Sequence, residues 1–157
     1  LRTTSHAFSL RAGEPSAGLE QWPQFDHEVL GGNYHDHYPN DAETWVQPLA
    51  AAARHPILAG VPIDAFRVSG SLYKNHPLAT TAAPLMQGRV AGAETPEPVA
   101  WTHQRPNRGR VFYTSLGHPE SFKIAGFRHL LRNATYWAAD LPVPQPARPR
   151  PASVSKK

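Results

Sequence analysis

The chain has 157 residues, of which 40% are hydrophobic and 18% are charged, so neither a wholly disordered chain nor a membrane protein is expected. The sequence contains no cysteine, which excludes disulfides, thiolate metal sites and a cysteine nucleophile. The formal net charge is +4, and residues 141–157 contain four basic residues and no acid: Arg148, Arg150, Lys156 and Lys157. The remaining 12 bases balance all 12 acids, and a neutral body does not favour nucleic-acid binding.

The two ends of the chain are predicted to differ from its middle. The chain begins at Leu1 without a methionine, and its first six residues lack the apolar segment of a signal peptide, so we expect a fragment or a processed chain. Residues 141–157 carry proline at nearly every second position as far as Pro151, which predicts a disordered basic tail because proline has no N–H. Residues 1–140 then form the domain, and the compartment, cytoplasmic or periplasmic, is left open.

The first predicted elements are short. Residues 23–30 read as a brief helix that ends at Gly31 in the left-handed conformation. Residues 44–49 read as a strand, which Pro48 favours placing at a sheet edge. Residues 66–73 are β-like with a break at Gly70.

The later elements have stronger patterns. Residues 98–103 and 110–116 read as strands joined by a hairpin turn at 107–109. Residues 122–139 carry apolar side chains at spacings of three and four, which predicts an amphipathic helix capped by Ser121. A strand, a short turn and a helix in this order indicate an α/β domain.

Histidines are the main candidates for chemistry, and the chain has nine. His35 and His37 are two residues apart, so in an extended segment both face one side, with Asp36 on the other. His118 follows the strand that ends at Leu116, where ligands bind in open α/β sheets, and Glu120 could orient it or balance its charge. The alternative for any of these is a solvated loop histidine, which is the expectation for the remaining ones outside the N-terminus: His27, His55, His76, His103 and His129.

Several segments resemble the ThuA-like (trehalose utilisation) family over about residues 1–141. The most specific is residues 109–118, Gly-Arg-Val-Phe-Tyr-Thr-Ser-Leu-Gly-His, preceded by Pro-Val-Ala-Trp-Thr at 98–102 and followed by a helix that closes at 131–139. Residues 25–34 with His37, and the His-Pro-Ile segment beginning at His55, resemble further parts of the family pattern. Residues 70–73, Gly-Ser-Leu-Tyr, stand where the family often has an acidic pair before Leu-Tyr.

This resemblance implies a flavodoxin-like sandwich of the class I glutamine amidotransferase-like superfamily. The parallel strands of such a sandwich would lie largely before Leu1. His118-Pro119-Glu120 is similar to the His-Pro-Glu of those amidotransferases, but without a cysteine no glutaminase reaction is expected.

The resemblance also implies a role in the catabolism of trehalose-type sugars or 3-keto-disaccharides. We expect His- or metal-assisted proton transfer on a keto-sugar, as in a lyase, isomerase or hydrolase, because a ketone acidifies the neighbouring C–H. The alternative is a non-catalytic carbohydrate-binding or accessory module. The expected catalytic residues are His118, His37, His6 and Glu120, and the expected substrate-binding residues are Arg2, Thr3, Tyr34 and Tyr73.

A divalent cation, Zn²⁺ or Mn²⁺, is a candidate cofactor, with His37, His118 and His35 as its ligands. Zinc takes three or four ligands, so the two histidines at 35 and 37 are a weak signal alone. The expected partner is a small-molecule sugar. Neither a nucleic acid nor a membrane is expected, and homo-oligomerisation is left open.

Overall fold

The structure is a computed structural model that describes residues 10–11, 14–15, 24–32, 34–105 and 107–145. Its main feature is an antiparallel sheet of five strands. Two smaller two-stranded sheets accompany it, and the order in the large sheet is β5-β4-β7-β8-β9. The strands in chain order are β1 Leu10–Arg11, β2 Glu14–Pro15, β3 Asp36–His37, β4 Thr44–Pro48, β5 Phe66–Val68, β6 Tyr73–Lys74, β7 Ala82–Val90, β8 Glu97–Gln104 and β9 Arg110–Thr114.

Strand β8 forms the core of the large sheet because it is covered on both faces. Its residues from Glu97 to His103 are all buried, and Trp101 is fully buried, with its ring stacked on Tyr113 of β9 at a centroid distance of 3.9 Å. The β8–β9 hairpin was predicted from the sequence and is confirmed. His103 was expected to be solvated, but it is only 4% exposed. Its ring nitrogens form hydrogen bonds with the hydroxyl of Thr81 at 3.2 Å and with the carbonyl of Glu28 at 3.0 Å.

Strand β7 was not predicted, although with nine residues it is the longest strand described and lies between β4 and β8. It contains Pro84 and Gly88, both of which weaken a strand pattern. The register against β8 shifts on either side of Met86, which is how the strand accommodates a proline and keeps pairing. Gly88 is required by packing, because a Cβ there would lie 2.7 Å from the side chain of Leu72.

The predicted strand at 44–49 is present as β4, but it is an internal strand. It pairs with β5 over Thr44–Val46 and with β7 over its whole length. Pro48 therefore lies beyond the last residue that pairs with β5. The N–H that proline lacks is not needed there for a hydrogen bond to β5. The predicted short helix is a π-helical turn at Asp26–Leu30, and Gly31 closes it at φ 77° as expected.

Helix α1 spans Ala125–Ala138 and follows a tight 3₁₀ turn at Pro119–Lys123. Ser121 does not cap the helix: the N-cap is Ile124, and Ser121 is buried within the preceding turn. The prediction was wrong here because the turn that begins at Pro119 uses residues that the apolar spacing had assigned to the helix.

A buried asparagine fixes α1 to the segment that follows β4. Asn133 is fully buried, and its side-chain amide donates hydrogen bonds to the carbonyls of Ile57 and Ala59 at 3.0 and 2.7 Å. Because both carbonyls lie next to a 3₁₀ turn at Pro56–Leu58, this one side chain joins the helix to that turn.

The architecture is therefore mixed α/β, as expected. The large sheet among the described residues is antiparallel throughout and contains no parallel pair of strands. The flavodoxin-like sandwich, which consists of parallel strands, is therefore not confirmed and stays a prediction. Of the predicted tail at 141–157, residues 141–145 are described and contain no helix or strand, and the remainder lies outside the described residues. Within the described ranges, no helix is long and apolar enough to cross a membrane.

Candidate functional site

A cleft of about 840 Å³ opens at one end of the large sheet, where β4 begins and where β5 and β9 end. This volume is in the usual range for pockets that hold small molecules. Its lining is mostly apolar and aromatic, with a set of hydroxyl and amide groups, and the described lining residues include no Asp, Glu, Lys or Arg. The polar members are Asn40, Thr44, Ser69, Ser71, Tyr73, Tyr113, Thr114, Ser115 and His118.

His118 is exposed at this cleft, directly after β9, as the sequence predicted. It is the N-cap of the Pro119–Lys123 turn, and its Nδ1 accepts the backbone N–H of Glu120 at 3.2 Å. An Nδ1 that accepts a hydrogen bond carries no proton, so the neutral ring carries its proton on Nε2. The fold thereby gives His118 an N–H donor at its outer edge.

The loop after β5 passes close to His118 through Gly70. This glycine has φ 93°, and a Cβ at its position would lie 3.4 Å from the Cβ of His118. Ser69 and Ser71, on either side of it, line the cleft. Two hydroxyl side chains on this loop therefore line the same cleft as the histidine.

Glu120 contacts His118 through its backbone and not through its carboxylate. The carboxylate forms an exposed ion pair with Lys123 at 2.8 Å. The predicted orienting function is therefore performed by the peptide N–H of Glu120, whereas the carboxylate is already paired.

The same cap occurs at a second His-Pro segment, which shows what the motif does outside the cleft. The Nδ1 of His55 accepts the N–H of Ile57 at 3.3 Å, and the ring packs against Trp137 at 5.6 Å. Burial lowers the pKa of His55 below its usual value, because it disfavours the charged form. The His-Pro pattern is therefore a capping device, and only the position of His118 at the cleft distinguishes it.

Three further predicted site residues form an aromatic cluster beside the cleft. The Tyr34 ring lies 4.6 Å from the ring of Tyr73 and 6.4 Å from that of His37, and the rings of His37 and Tyr73 are also 6.4 Å apart. The pairing of β3 with β6 sets His37 opposite Tyr73. Since Tyr73 lines the cleft, it connects this cluster to the site of His118.

His37 has the opposite tautomer to that of His118. Its Nδ1 lies 2.8 Å from the carbonyl oxygen of Tyr38, which can only accept, so Nδ1 carries the proton and donates. The Nε2 of the neutral His37 ring therefore has a free lone pair. One histidine thus presents a donor at Nε2 and the other an acceptor.

An ion pair next to the cluster holds β3 to β6. Lys74 and Asp36 are 2.6 Å apart, and this hydrogen bond lowers the pKa of Asp36 and raises the pKa of Lys74. Lys74 also lies 5.0 Å from the centre of the Tyr38 ring. His35 is exposed, and its backbone N–H donates to the carbonyl of Lys74 at 3.2 Å.

The predicted metal ligands are not gathered. Within the described ranges, no group of three or more His, Cys, Asp or Glu side chains could hold a metal ion, so His35, His37 and His118 do not form such a set. A divalent cation therefore stays a prediction, for which the described residues offer no complete ligand set. Three other predicted site residues, Arg2, Thr3 and His6, lie outside the described residues.

The sequence did not identify the serine and threonine hydroxyl groups of the cleft as site residues. Ser69 and Ser71 flank Gly70, Thr114 is the last residue of β9, and Ser115 follows it. The available signal was positional, because both pairs lie at strand ends that the pattern had located. Serine and threonine are common in loops, so only the common sheet edge gives them meaning.

Comparison with known proteins gives one result over most of the chain. The sequence model of the family described as ThuA, Trehalose utilisation, matches residues 10–138, which contain β4 to β9, α1 and every residue named here in the cleft. No curated protein matches the chain significantly. On the extent of that match, the chain belongs to the ThuA (trehalose utilisation) family.

Proposed function

We propose that the cleft binds a trehalose-type disaccharide or its 3-keto derivative and that His118 and His37 transfer a proton on the keto-sugar. The observation that carries this proposal is one imidazole side chain, His118, in a cleft whose other described lining residues are apolar, aromatic, hydroxyl and amide groups. Hydroxyl and amide groups suit the hydroxyls of a neutral sugar, and aromatic rings suit its apolar faces.

The two tautomers assign the roles in this proposal. The lone pair of the His37 Nε2 takes the proton from the carbon beside the ketone, and the C–H electron pair moves into the enolate. When the enolate collapses back to the ketone, the bond between the next ring carbon and the glycosidic oxygen breaks, and the released sugar takes up the proton from His37. The Nε2–H of His118 donates a hydrogen bond to the enolate oxygen, where negative charge develops. His37 does not itself line the cleft, and it is assigned the base role because its ring lies 6.4 Å from that of Tyr73, which does.

The proposal is tested by turnover of a 3-keto-disaccharide, with release of the free sugar as the readout. His118→Ala and His37→Ala should each lower turnover by about 10²-fold, the usual contribution of a positioned acid or base. His27→Ala is the matched control, because His27 is an exposed histidine that does not line the cleft, and it should leave turnover unchanged. Full turnover in both site variants would refute the proposal.

A second candidate is a binding module without catalysis. It is favoured by the pairing of the Glu120 carboxylate with Lys123, which leaves His118 without a carboxylate partner from this turn. Calorimetric titration with trehalose separates the two candidates. A module binds trehalose and releases no product from any 3-keto-disaccharide, whereas an enzyme retains binding in His118→Ala and loses turnover.

A further inference from the structure

A row of three side chains crosses the outer face of the large sheet away from the cleft. Trp45 of β4 is directly opposite Arg67 of β5 on one side and Arg89 of β7 on the other. Directly opposed residues in antiparallel strands project from the same face with Cβ atoms about 5 Å apart. The three side chains therefore form a row, arginine–tryptophan–arginine, which we call the Trp45 row.

The Trp45 row is a solvent-facing surface and not part of the core. The neighbours of Trp45 along the strand, Thr44 and Val46, are buried, whereas Trp45 is 45% exposed. The side chain of Arg67 is 67% exposed, and Arg89 is also exposed. None of the three lines the cleft.

The charge of the row is positive overall. Arg67 forms one ion pair, from its Nε to Glu43 at 3.1 Å, and its terminal amino groups carry further N–H donors. Arg89 has no ion-pair partner among the described residues. The row therefore has two guanidinium groups, and Glu43 is the one carboxylate that forms an ion pair with it among the described residues.

The geometry points to a second ligand site on the Trp45 row, for a pyranose that bears an anionic group, either phosphate or carboxylate. The indole offers an apolar plane for the sugar ring, and a guanidinium pairs with phosphate or carboxylate through two parallel N–H bonds. That the ligand is a sugar rests on the proposed function, whereas its charge and ring come from the row itself. The cleft has no cation in its described lining, so the two sites would select differently.

The test uses the full chain labelled with ¹⁵N and follows the indole N–H signal of Trp45 during titration with glucose 6-phosphate. Glucuronate, glucose and inorganic phosphate are titrated in parallel. We expect saturable shifts in the millimolar range with one or both anionic sugars, and which of them binds identifies phosphate or carboxylate as the anion. Glucose and inorganic phosphate should bind several-fold more weakly, and raising the salt concentration should weaken the anionic sugars.

Variants locate the site. Arg89→Gln should weaken binding about three- to fivefold, the usual effect of one exposed ion pair. In Trp45→Ala, the other NMR signals that shift when the sugar is added to the unaltered protein should no longer shift. Arg54→Gln removes the same charge from an exposed position outside the row, and it should leave the affinity unchanged. Turnover of the 3-keto-disaccharide should be unchanged in Trp45→Ala.

Four results would overturn the inference: no shift with either anionic sugar, an equal shift with inorganic phosphate alone, equal binding of neutral glucose, or equal weakening by Arg54→Gln. The two proposals fail separately. A titrating Trp45 row in a protein without keto-sugar turnover refutes only the proposed function, and an active protein with a silent Trp45 signal refutes only this inference.

Discussion

Replacing Gly70 by alanine tests how the cleft positions His118. At φ 93° an L-residue is strained, which costs about 1–2 kcal/mol of stability. The added Cβ would also lie 3.4 Å from the Cβ of His118, at the short limit of van der Waals contact, so the strained loop has little room to relax towards the histidine. We expect Gly70→Ala to lose about 1–2 kcal/mol of unfolding free energy and about tenfold in turnover, since small displacements of a catalytic group are costly.

Gly92 provides a matched control for the backbone strain. It also has a positive φ, 79°, but an added Cβ there would meet no atom within 4 Å. Gly92→Ala should therefore lose a similar amount of stability in urea unfolding and retain turnover within about twofold. Signals of the His118 ring should shift in Gly70→Ala alone. Equal turnover and unshifted ring signals in both variants would refute the reasoning.

Three further predictions concern stability. Asn133→Ala should lower the free energy of unfolding in urea by about 2–4 kcal/mol, because it leaves two carbonyls without their donor. Thr135→Ala, at an exposed position of the same helix, should lower it by less than about 0.5 kcal/mol. Equal losses would contradict the role of the two Asn133 hydrogen bonds. The pKa of His55 is lowered in the fold, so the contribution of its neutral ring to folding stability is present above the unfolded pKa of 6.5 and is lost as pH falls below it. His55→Gln keeps a hydrogen-bond acceptor and should therefore show a smaller drop in stability between pH 7.5 and 5.5. An unchanged drop would contradict this. The pKa of Asp36 is lowered in the fold, so the contribution of its carboxylate to stability is lost as pH falls below 3.8. The backbone amide of His35, which donates to the carbonyl of Lys74, should then lose protection against hydrogen exchange. Protection that persists unchanged would contradict this.

The sequence located the elements that carry local signals. The hairpin that contains Trp101 and the helix that contains Asn133 follow from apolar spacing and turn residues, and Gly31 follows from the steric freedom of glycine. Strand β7 was missed because Pro84 and Gly88 interrupt its pattern, and only pairing on both sides makes it a strand. The burial of His103 likewise depends on a distant segment, the turn at residues 26–30, which no local pattern indicates.

The candidate site was predictable only in part for the same reason. His118 follows a strong strand signal, so its position at the sheet end was predictable. Its contact with Gly70 and the cluster of Tyr34 with Tyr73 join residues far apart in sequence, which requires the fold. The ring tautomers depend on single backbone hydrogen bonds, and the sequence contains no signal for those.

His118 and the cleft are proposed to promote removal of a proton beside a sugar ketone. The most direct measurement is deuterium incorporation into a 3-keto-disaccharide in D₂O, followed by loss of the ¹H signals of the carbons next to the ketone. We expect exchange with the unaltered protein and a rate about 10²-fold lower with His118→Ala, while binding of the sugar is retained. Exchange at an equal rate in the variant, or bound sugar without any exchange in the unaltered protein, would contradict it.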